Sequence, residues 1–353
     1  MKPSSRPPVT SWIAVLALLP LAAAAEVPRT AGGRPDLSGT YDVATLTPFE
    51  RPGSFGDKLE LTDAEAEAIA NRARMQSQFA NRPSDPERGA PRAGANVGGY
   101  NYFWLDPGSG AFKVDGKWRT SILTDPADGR LPPMTEEGRA RTQARLDMWR
   151  RDLQAGTAGA WWLDMEVGPY DHPEQRPFGE RCVLGFGSSA GPPVKPVLYN
   201  NLKTVVQTES HLVILNEMNH DARIIPIGGE HGSPRIRRWL GDSVAHWEGD
   251  TLVVDTIHLR AGEAALSAPD FTINFVTSAD LHVVERFTRV DEDTLLYSFT
   301  VDDPSTWTRP WSGEYPWPRA QTRMYEYACH EGNYALGNIL RGARLAEQEA
   351  VAE

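Results

Sequence analysis

The spacing of apolar runs between residues 200 and 301 constrains the fold more than any other feature of this sequence. Most of these runs are separated by turns of only two or three residues, at 209–210, 219–221, 248–250 and 291–293. Parallel strands need crossover connections of about a dozen residues or more, so turns this short favour antiparallel hairpins. Eight strand candidates result, at residues 202–208, 211–218, 223–227, 236–240, 243–247, 251–259, 281–289 and 294–301.

A meander of about eight strands has to cover its edges, because open edges pair with other chains. We therefore predict a mainly β protein with an antiparallel, barrel-like meander, and a two-sheet sandwich is the alternative. Two peripheral helices are expected. Thr62 and Glu65 form a capping box for a helix that reaches about residue 79, and Thr135 caps a second helix that reaches about residue 153.

The N-terminal residues follow the order of a secretory signal peptide: basic, then apolar, then small residues. Lys2 and Arg6 precede an apolar run at residues 12–21, and four alanines follow at 22–25. The run is shorter than the roughly 20 residues that span a bilayer, although an uncleaved anchor or a buried helix is the alternative. The pattern predicts a signal peptide at 1–25 and a periplasmic or secreted protein.

The mature chain is expected to have three parts. An N-terminal arm at 26–160 would hold the two helices and short strands, an antiparallel β domain would follow at 161–345, and a tail would end the chain at 346–353. Hydrophobic residues make up 40% of the chain, which is enough for a core.

Charge and cysteine content restrict the partners and the compartment. The net charge is −11, and loss of Lys2 and Arg6 with the signal would make it −13. Such a chain has no general attraction for nucleic acid or anionic lipid, and no membrane span is expected after cleavage. Cys182 and Cys329 predict one disulfide, as is common in exported proteins; two buried thiols or a metal pair are the alternatives.

No strong catalytic signature is present. The sequence contains no G-x-S-x-G, no P-loop, no H-E-x-x-H and no G-x-G-x-x-G after a strand. The eight histidines are scattered and form no pair at typical ligand spacing. We therefore expect neither a metal nor a cofactor.

The first candidate cluster lies around the turn at 219–221. His220 and Asp221 could form a charge-tuned acid–base pair, and Arg223 follows them. The alternative is that Asp221 forms the turn while Arg223 makes a surface ion pair.

The second candidate cluster lies on the predicted strands at 243–247 and 251–259. His246 shares a sheet face with Val244 and is a candidate catalyst; a histidine packed in the core is the alternative. Asp255 interrupts an aliphatic strand and needs a partner, for which Arg286 and Arg238 are the candidates; a structural ion pair is the alternative to a functional site.

The third cluster lies near the predicted disulfide, where His330 and Glu331 adjoin Cys329 and would be held rigidly. A strand that ends in a bend is the alternative. Upstream, Trp307 and Trp311 lie among prolines and, with Tyr327, could line an apolar or sugar-stacking pocket. They could equally form a lid over the end of the barrel.

Several segments together resemble a large family of exported bacterial proteins of unknown function. They include WEGDTLVVDT at 247–256 and CHEGNY at 329–334, and the resemblance covers most of the mature chain. It implies export but no particular activity, so no catalytic residue follows from it. Residues 37–41, LSGTY, are also similar to the Gly-x-Trp opening of lipocalin-like barrels, with Tyr in place of Trp.

Three functions are compatible with these features. The first is a cofactor-independent lyase, isomerase or hydrolase, in which His330 or His246 transfers the proton and Arg223 or Arg286 stabilises negative charge. The second is a periplasmic carrier for a small apolar, aromatic or sugar-like ligand, with Arg286 as a further ligand-binding candidate. The third is a structural or interaction protein. The charged residues on the strands favour the enzyme.

Overall fold

A computed structural model describes residues 27–83, 87, 89, 105–155, 160–261 and 275–352. The predicted signal peptide at 1–25 lies outside these ranges, as does most of a short strand expected at 100–105. The described chain is mainly β, with antiparallel sheets and three helices.

The largest sheet has six strands in the order β5-β13-β12-β11-β10-β9. All its neighbouring strands are antiparallel, as the short turns predicted. The strands are β5 (Leu123–Asp125), β9 (Asp242–Glu248), β10 (Thr251–Ile257), β11 (His282–Arg289), β12 (Thr294–Asp302) and β13 (Trp311–Pro318).

A second sheet has four strands in the order β1-β6-β7-β8, and a small third sheet has the order β2-β4-β3. The N-terminal arm contributes β1 and β5 to the two larger sheets. The remaining strands are β1 (Gly39–Asp42), β2 (Glu60–Leu61), β3 (Lys113–Val114), β4 (Lys117–Arg119), β6 (Leu202–Gln207), β7 (His211–Asn216) and β8 (Ala222–Pro226).

The two larger sheets meet at both edges through single backbone bridges. One bridge joins Ile227, after β8, to Ala245 of β9, and the other joins Tyr41 of β1 to Arg319, after β13. The continuous hydrogen-bonded ladders among the described residues therefore do not close into a barrel.

One predicted strand is absent, and one strand was not predicted. Residues 236–240 form a loop in which Arg238 makes a single backbone bridge to Leu259, just after β10. Conversely, β13 is a strand in a proline-containing stretch for which no strand was predicted. Pro316 pairs with Leu296 of β12, whereas the other neighbour, β5, reaches only Ser312 and Gly313. The prolines thus lie where β13 has a single neighbour, where a strand tolerates a missing N–H donor.

Both predicted helices are present, as α1 (Asp63–Ala80) and α2 (Glu136–Ala155), and a third was missed, α3 (Tyr334–Ala352). Thr135 caps α2 by accepting a hydrogen bond from the Gly138 N–H at 3.0 Å. The predicted tail at 346–353 is largely the end of α3. None of the helices in the described ranges has the length and apolar composition that crossing a membrane requires.

The capping box of α1 is confirmed. Thr62 Oγ1 accepts from the Glu65 N–H at 3.3 Å, and Glu65 Oε2 accepts from the Thr62 N–H at 2.8 Å. We expect Thr62→Ala to lower the free energy of unfolding by about 1 kcal/mol in urea denaturation, because an orphan N–H at the helix start loses its acceptor. Thr62→Ser is the control, since it keeps the acceptor; equal loss in both variants would contradict the capping role.

The N-terminal arm is fastened to the β9–β10 hairpin, which contains the WEGD motif. Arg29 binds Asp250 with both terminal nitrogens, at 3.1 and 2.6 Å. Arg34 donates to the Gly249 carbonyl at 3.2 Å and lies over the Trp247 ring. In this structure the motif therefore holds the arm.

Candidate functional site

A cluster of histidines and aspartates lies at one end of the six-stranded sheet. Here β9 begins with Asp242, β10 nears its end at Asp255, and β11 begins with His282. Alternation along these strands turns the three side chains to the outer face, away from the core. His231, from the loop before β9, and His258, just after β10, complete the cluster.

Asp255 is the centre of this cluster. Its Oδ1 lies 2.8 Å from His231 Nε2, and its Oδ2 lies 2.7 Å from His282 Nε2. The predicted partners, Arg286 and Arg238, were wrong: Arg286 pairs with Glu248 and Arg238 with Asp242. One carboxylate thus orients two imidazoles through both of its oxygens.

Asp242 forms a second layer behind His231. Its Oδ2 accepts a hydrogen bond from the Gly232 N–H at 2.6 Å. The same oxygen lies 3.4 Å from His231 Nδ1 and 3.8 Å from His258 Nδ1. Both of these ring nitrogens are buried and make no hydrogen bond. His231 therefore lies between two carboxylates, and His258 approaches the second.

The electrostatics of the cluster suit proton transfer. The hydrogen bond to Asp255 raises the pKa of His282, and the same bond lowers the pKa of Asp255. The His282 side chain is 40% exposed and that of Asp255 32%, so a solute can reach both. A histidine whose pKa is tuned by a carboxylate is a typical general acid or base. No group of three or more His, Cys, Asp or Glu side chains in the described ranges has the arrangement of a metal site.

Removal of the Asp255 carboxylate should change the titration of His282. In Asp255→Asn we expect the pKa of His282 to fall, because the hydrogen bond that favours the imidazolium is lost. An NMR titration of the imidazole resonances measures this. The resonances of His211, whose ring contacts Ser210 outside the cluster, serve as the internal control; an unchanged His282 would contradict the assignment.

The His282–Asp255 pair should also make stability depend on pH. The folded pKa of His282 lies above its ordinary 6.5, so its contribution is complete below pH 6.5 and is lost as the pH rises through the folded value. The folded pKa of Asp255 lies below its ordinary 3.8, so its contribution is complete above pH 3.8 and is lost as the pH falls through the folded value. Urea denaturation should show the largest stability difference from Asp255→Asn between these limits; a difference independent of pH would contradict the coupling.

Two residues predicted separately, His246 and Arg286, meet on the same outer face. They flank Val253 from β9 and β11, and Glu248 joins them through contacts of 3.2 Å to His246 Nε2 and 2.7 Å to Arg286 Nη1. In the register, His246 is two residues from Val244, which pairs with Asp255. This charged group therefore lies along the strands from the histidine cluster.

Asp221 and Arg223 lie elsewhere, in buried surroundings. Arg223 is not at the surface: its Nη1 donates to Glu285 Oε1 at 2.9 Å inside the protein. Asp221 Oδ2 accepts from the Gly185 N–H at 3.1 Å, and burial raises its pKa to about 6. Burial also lowers the pKa of Lys203, which interacts with Asp221, to about 7.

The third predicted cluster lies at the disulfide, and Cys182 and Cys329 are bonded as predicted. His330 and Glu331 are exposed there. An open depression of about 360 Å³ is lined by Tyr327, Cys329 and Glu331 among others. The predicted catalytic residues therefore occupy three separate places: the outer sheet face, the interior and the disulfide segment.

Trp307 and Trp311 do not line a pocket. Both are 1% exposed or less. Their rings pack edge to face with centroids 5.3 Å apart, and Phe275 and Phe49 pack against them. Trp311 points into the core from β13 and Trp307 packs there from the segment before that strand, so both stabilise the interior.

One residue of the histidine and aspartate cluster was recognisable from the sequence. Asp255 stood out as a carboxylate within an aliphatic strand, but its histidine partners lie 24 and 27 residues away. The sequence did not single out His231, His258 or Asp242: the return of the loop at 228–241 brings His231 to the cluster, and the pairing of Ile257 with Asp242 brings His258 beside Asp242. Comparison of the chain with protein-family models, with curated proteins and with solved structures gave no match.

Proposed function

We propose that the protein is an enzyme that transfers protons to or from a small polar substrate at the His231–Asp255–His282 cluster. The observation that carries this proposal is the bridging of one carboxylate by two imidazole Nε2 atoms, at 2.8 and 2.7 Å. A carboxylate that fixes the orientation of an imidazole is a recurring feature of acid–base catalysis. The accessible position of the cluster supports it further.

His282 is the proton-transfer group in this proposal. Its Nε2–H donates to Asp255, which leaves the Nδ1 lone pair free to accept a proton from the substrate. Asp255 then stabilises the imidazolium that forms. Asp255 and His231 are positioning residues, because they act through His282.

The contacts favour a lyase or isomerase over a hydrolase with a serine nucleophile. Within the described ranges, neither His231 nor His282 has a hydrogen bond to a serine, threonine or cysteine side chain. A Ser–His mechanism needs that contact. Abstraction of a proton from carbon, or activation of water, needs only the oriented imidazole.

Solvent-isotope exchange tests the proposal without a known substrate. Mixtures of small carbonyl and hydroxy acids are incubated in D₂O, and mass spectrometry identifies compounds that gain deuterium or change in mass. We expect at least one to react with the wild type, and at least 100-fold more slowly with His282→Gln, the loss typical for a general base. His211→Gln is the control for a histidine outside the cluster. Equal rates for wild type and His282→Gln would contradict the proposal, as would the absence of any reaction.

A binding function is the second candidate, favoured by the depression at the disulfide. Tyr327 and Glu331, which the sequence singled out for different roles, line the same depression. An apolar ring beside a carboxylate suits a small aromatic or sugar-like ligand. Native mass spectrometry of the purified protein should then show a bound ligand that is lost in Tyr327→Ala.

We further propose that the protein is exported and belongs to the exported bacterial family that its sequence resembles. The disulfide supports export, because such bonds persist in oxidising compartments. We also propose a barrel-like enclosure rather than a sandwich. The bridges at both edges of the two larger sheets support that arrangement.

A further inference from the structure

The space between the two larger sheets contains a polar layer where a simple core would be aliphatic. Buried polar side chains enter it from seven strands, β6 to β8 and β10 to β13: Lys203, Asn216, Arg223, Thr256, Glu285, Tyr297 and Tyr315. Arg223 pairs with Glu285, and the Tyr297 hydroxyl donates to Glu285 at 2.7 Å. Buried polar groups are costly unless paired, so this layer needs an explanation.

A loop fills the space beside this layer. Residues 187–195 are nine consecutive buried residues, although loops normally run over the surface. Two hydroxyls of the layer hold the loop at Val194. Tyr297 Oη accepts from the Val194 N–H at 2.8 Å, and Tyr315 Oη donates to the Val194 carbonyl at 2.9 Å.

Gly191 brings the loop directly onto Arg223. Its φ is +73°, and a Cβ atom at this position would lie 2.9 Å from Val194 Cγ2, 3.0 Å from the Val194 nitrogen and 3.2 Å from Arg223 Nη1. Arg223 itself is 4% exposed, and its Nε–H is buried without an acceptor. The guanidinium thus keeps a free donor beside a glycine-rich loop, which contains Gly185, Gly187 and Gly191 as potential hinges.

We propose that residues 185–195 form a lid over a polar chamber, and that the chamber binds a small carboxylic acid with an apolar body when the lid opens. The proposal is independent of the His282 site. On opening, the Tyr315 hydroxyl loses its carbonyl acceptor and Tyr297 Oη loses the Val194 N–H, while Arg223 Nε–H already lacks an acceptor, so two donors face the chamber. Donors of this kind match carboxylate oxygens. The rings of Phe287 and Trp317, which pack on Tyr297, supply an apolar wall.

Gly191→Ala tests the lid without removing any donor of the chamber. The added methyl group meets Val194 within the loop as well as Arg223, and alanine at positive φ is strained, so the closed lid is destabilised by roughly 5- to 30-fold. Gly249→Ala is the matched control. Gly249 also has positive φ, at +61°, but a Cβ there meets nothing within 4 Å, and it lies in the β9–β10 turn.

Two measurements decide the outcome, amide hydrogen exchange and binding of benzoate by ligand-observed NMR. For Gly191→Ala we expect exchange at residues 188–194 to rise roughly 5- to 30-fold and benzoate to bind more tightly by a similar factor. Gly249→Ala should change neither. Exchange that rises equally in β6 to β13 would show that the loop is an inseparable part of the core, and benzoate binding that is absent or equal in all three proteins would exclude the chamber. Either result overturns the proposal.

Discussion

Glu285→Ala should lower the free energy of unfolding by about 3–5 kcal/mol, because it leaves the buried guanidinium of Arg223 without its countercharge. Glu285 is fully buried and Arg223 nearly so. The same substitution removes the acceptor of the Tyr297 hydroxyl. Urea denaturation followed by circular dichroism measures the loss.

Arg286→Ala is the matched control for this substitution. It lies one residue further along β11, faces the outer surface, and pairs with the exposed Glu248. Surface pairs contribute little, so its effect should be much the smaller of the two. The double variant Arg223→Met/Glu285→Leu should recover most of the lost stability, since it removes both charges together. Equal losses from Glu285→Ala and Arg286→Ala would contradict the buried ion pair.

The contrast between these two neighbours shows what the sequence could and could not predict. Short turns predicted the antiparallel hairpins, and alternation along β11 assigns Glu285 and Arg286 to opposite faces. Arg223 was interpreted as a surface or catalytic residue because its partner lies 62 residues away in another sheet. Sequence spacing does not reveal such a pairing.

The candidate site was predictable only in part, because it too depends on contacts between residues that are far apart in the sequence. Asp255 was recognisable as a carboxylate that needs a partner, and His246 and Arg286 as charged residues on strands. His231 lies on a loop in which residues 236–240 resembled a strand, and the sequence pattern does not indicate that this loop returns to β10. Local patterns predict elements, whereas the place of His231 in this cluster depends on where its loop packs.

Aromatic residues near prolines were misinterpreted because two effects compete. Proline weakens a strand, yet Trp311, Tyr315 and Trp317 bury large apolar surfaces at every second or fourth position of β13. In this sheet burial outweighs the missing donors, since the prolines lie where β13 pairs with β12 alone. The helix α3 was missed although Leu336, Ile339, Leu340 and Ala343 follow helical spacing.

Loss of the Cys182–Cys329 bond should lower the free energy of unfolding by about 4–5 kcal/mol, since its partners are 147 residues apart and the cross-link restricts the unfolded chain. Locally, the bond ties the segment before the interior loop to the start of α3. The other contacts of this junction are few: the Asn333 side chain donates to the Glu180 carbonyl at 3.0 Å. Further along α3, Glu347 accepts from Trp162 Nε1 at 2.7 Å.

The variant Cys182→Ala/Cys329→Ala should therefore show two effects. Urea denaturation should give the lower free energy of unfolding, and amide exchange should rise most at the start of α3, where the bond is the main tether. Reduction of the wild type with dithiothreitol should reproduce both effects, whereas the reductant should change nothing in the double variant. If the free energy of unfolding were equal with and without the bond, the junction would be held by packing of Ala343 and Ala346 on Trp162. The large closed loop would then contribute nothing, contrary to the loop-entropy argument.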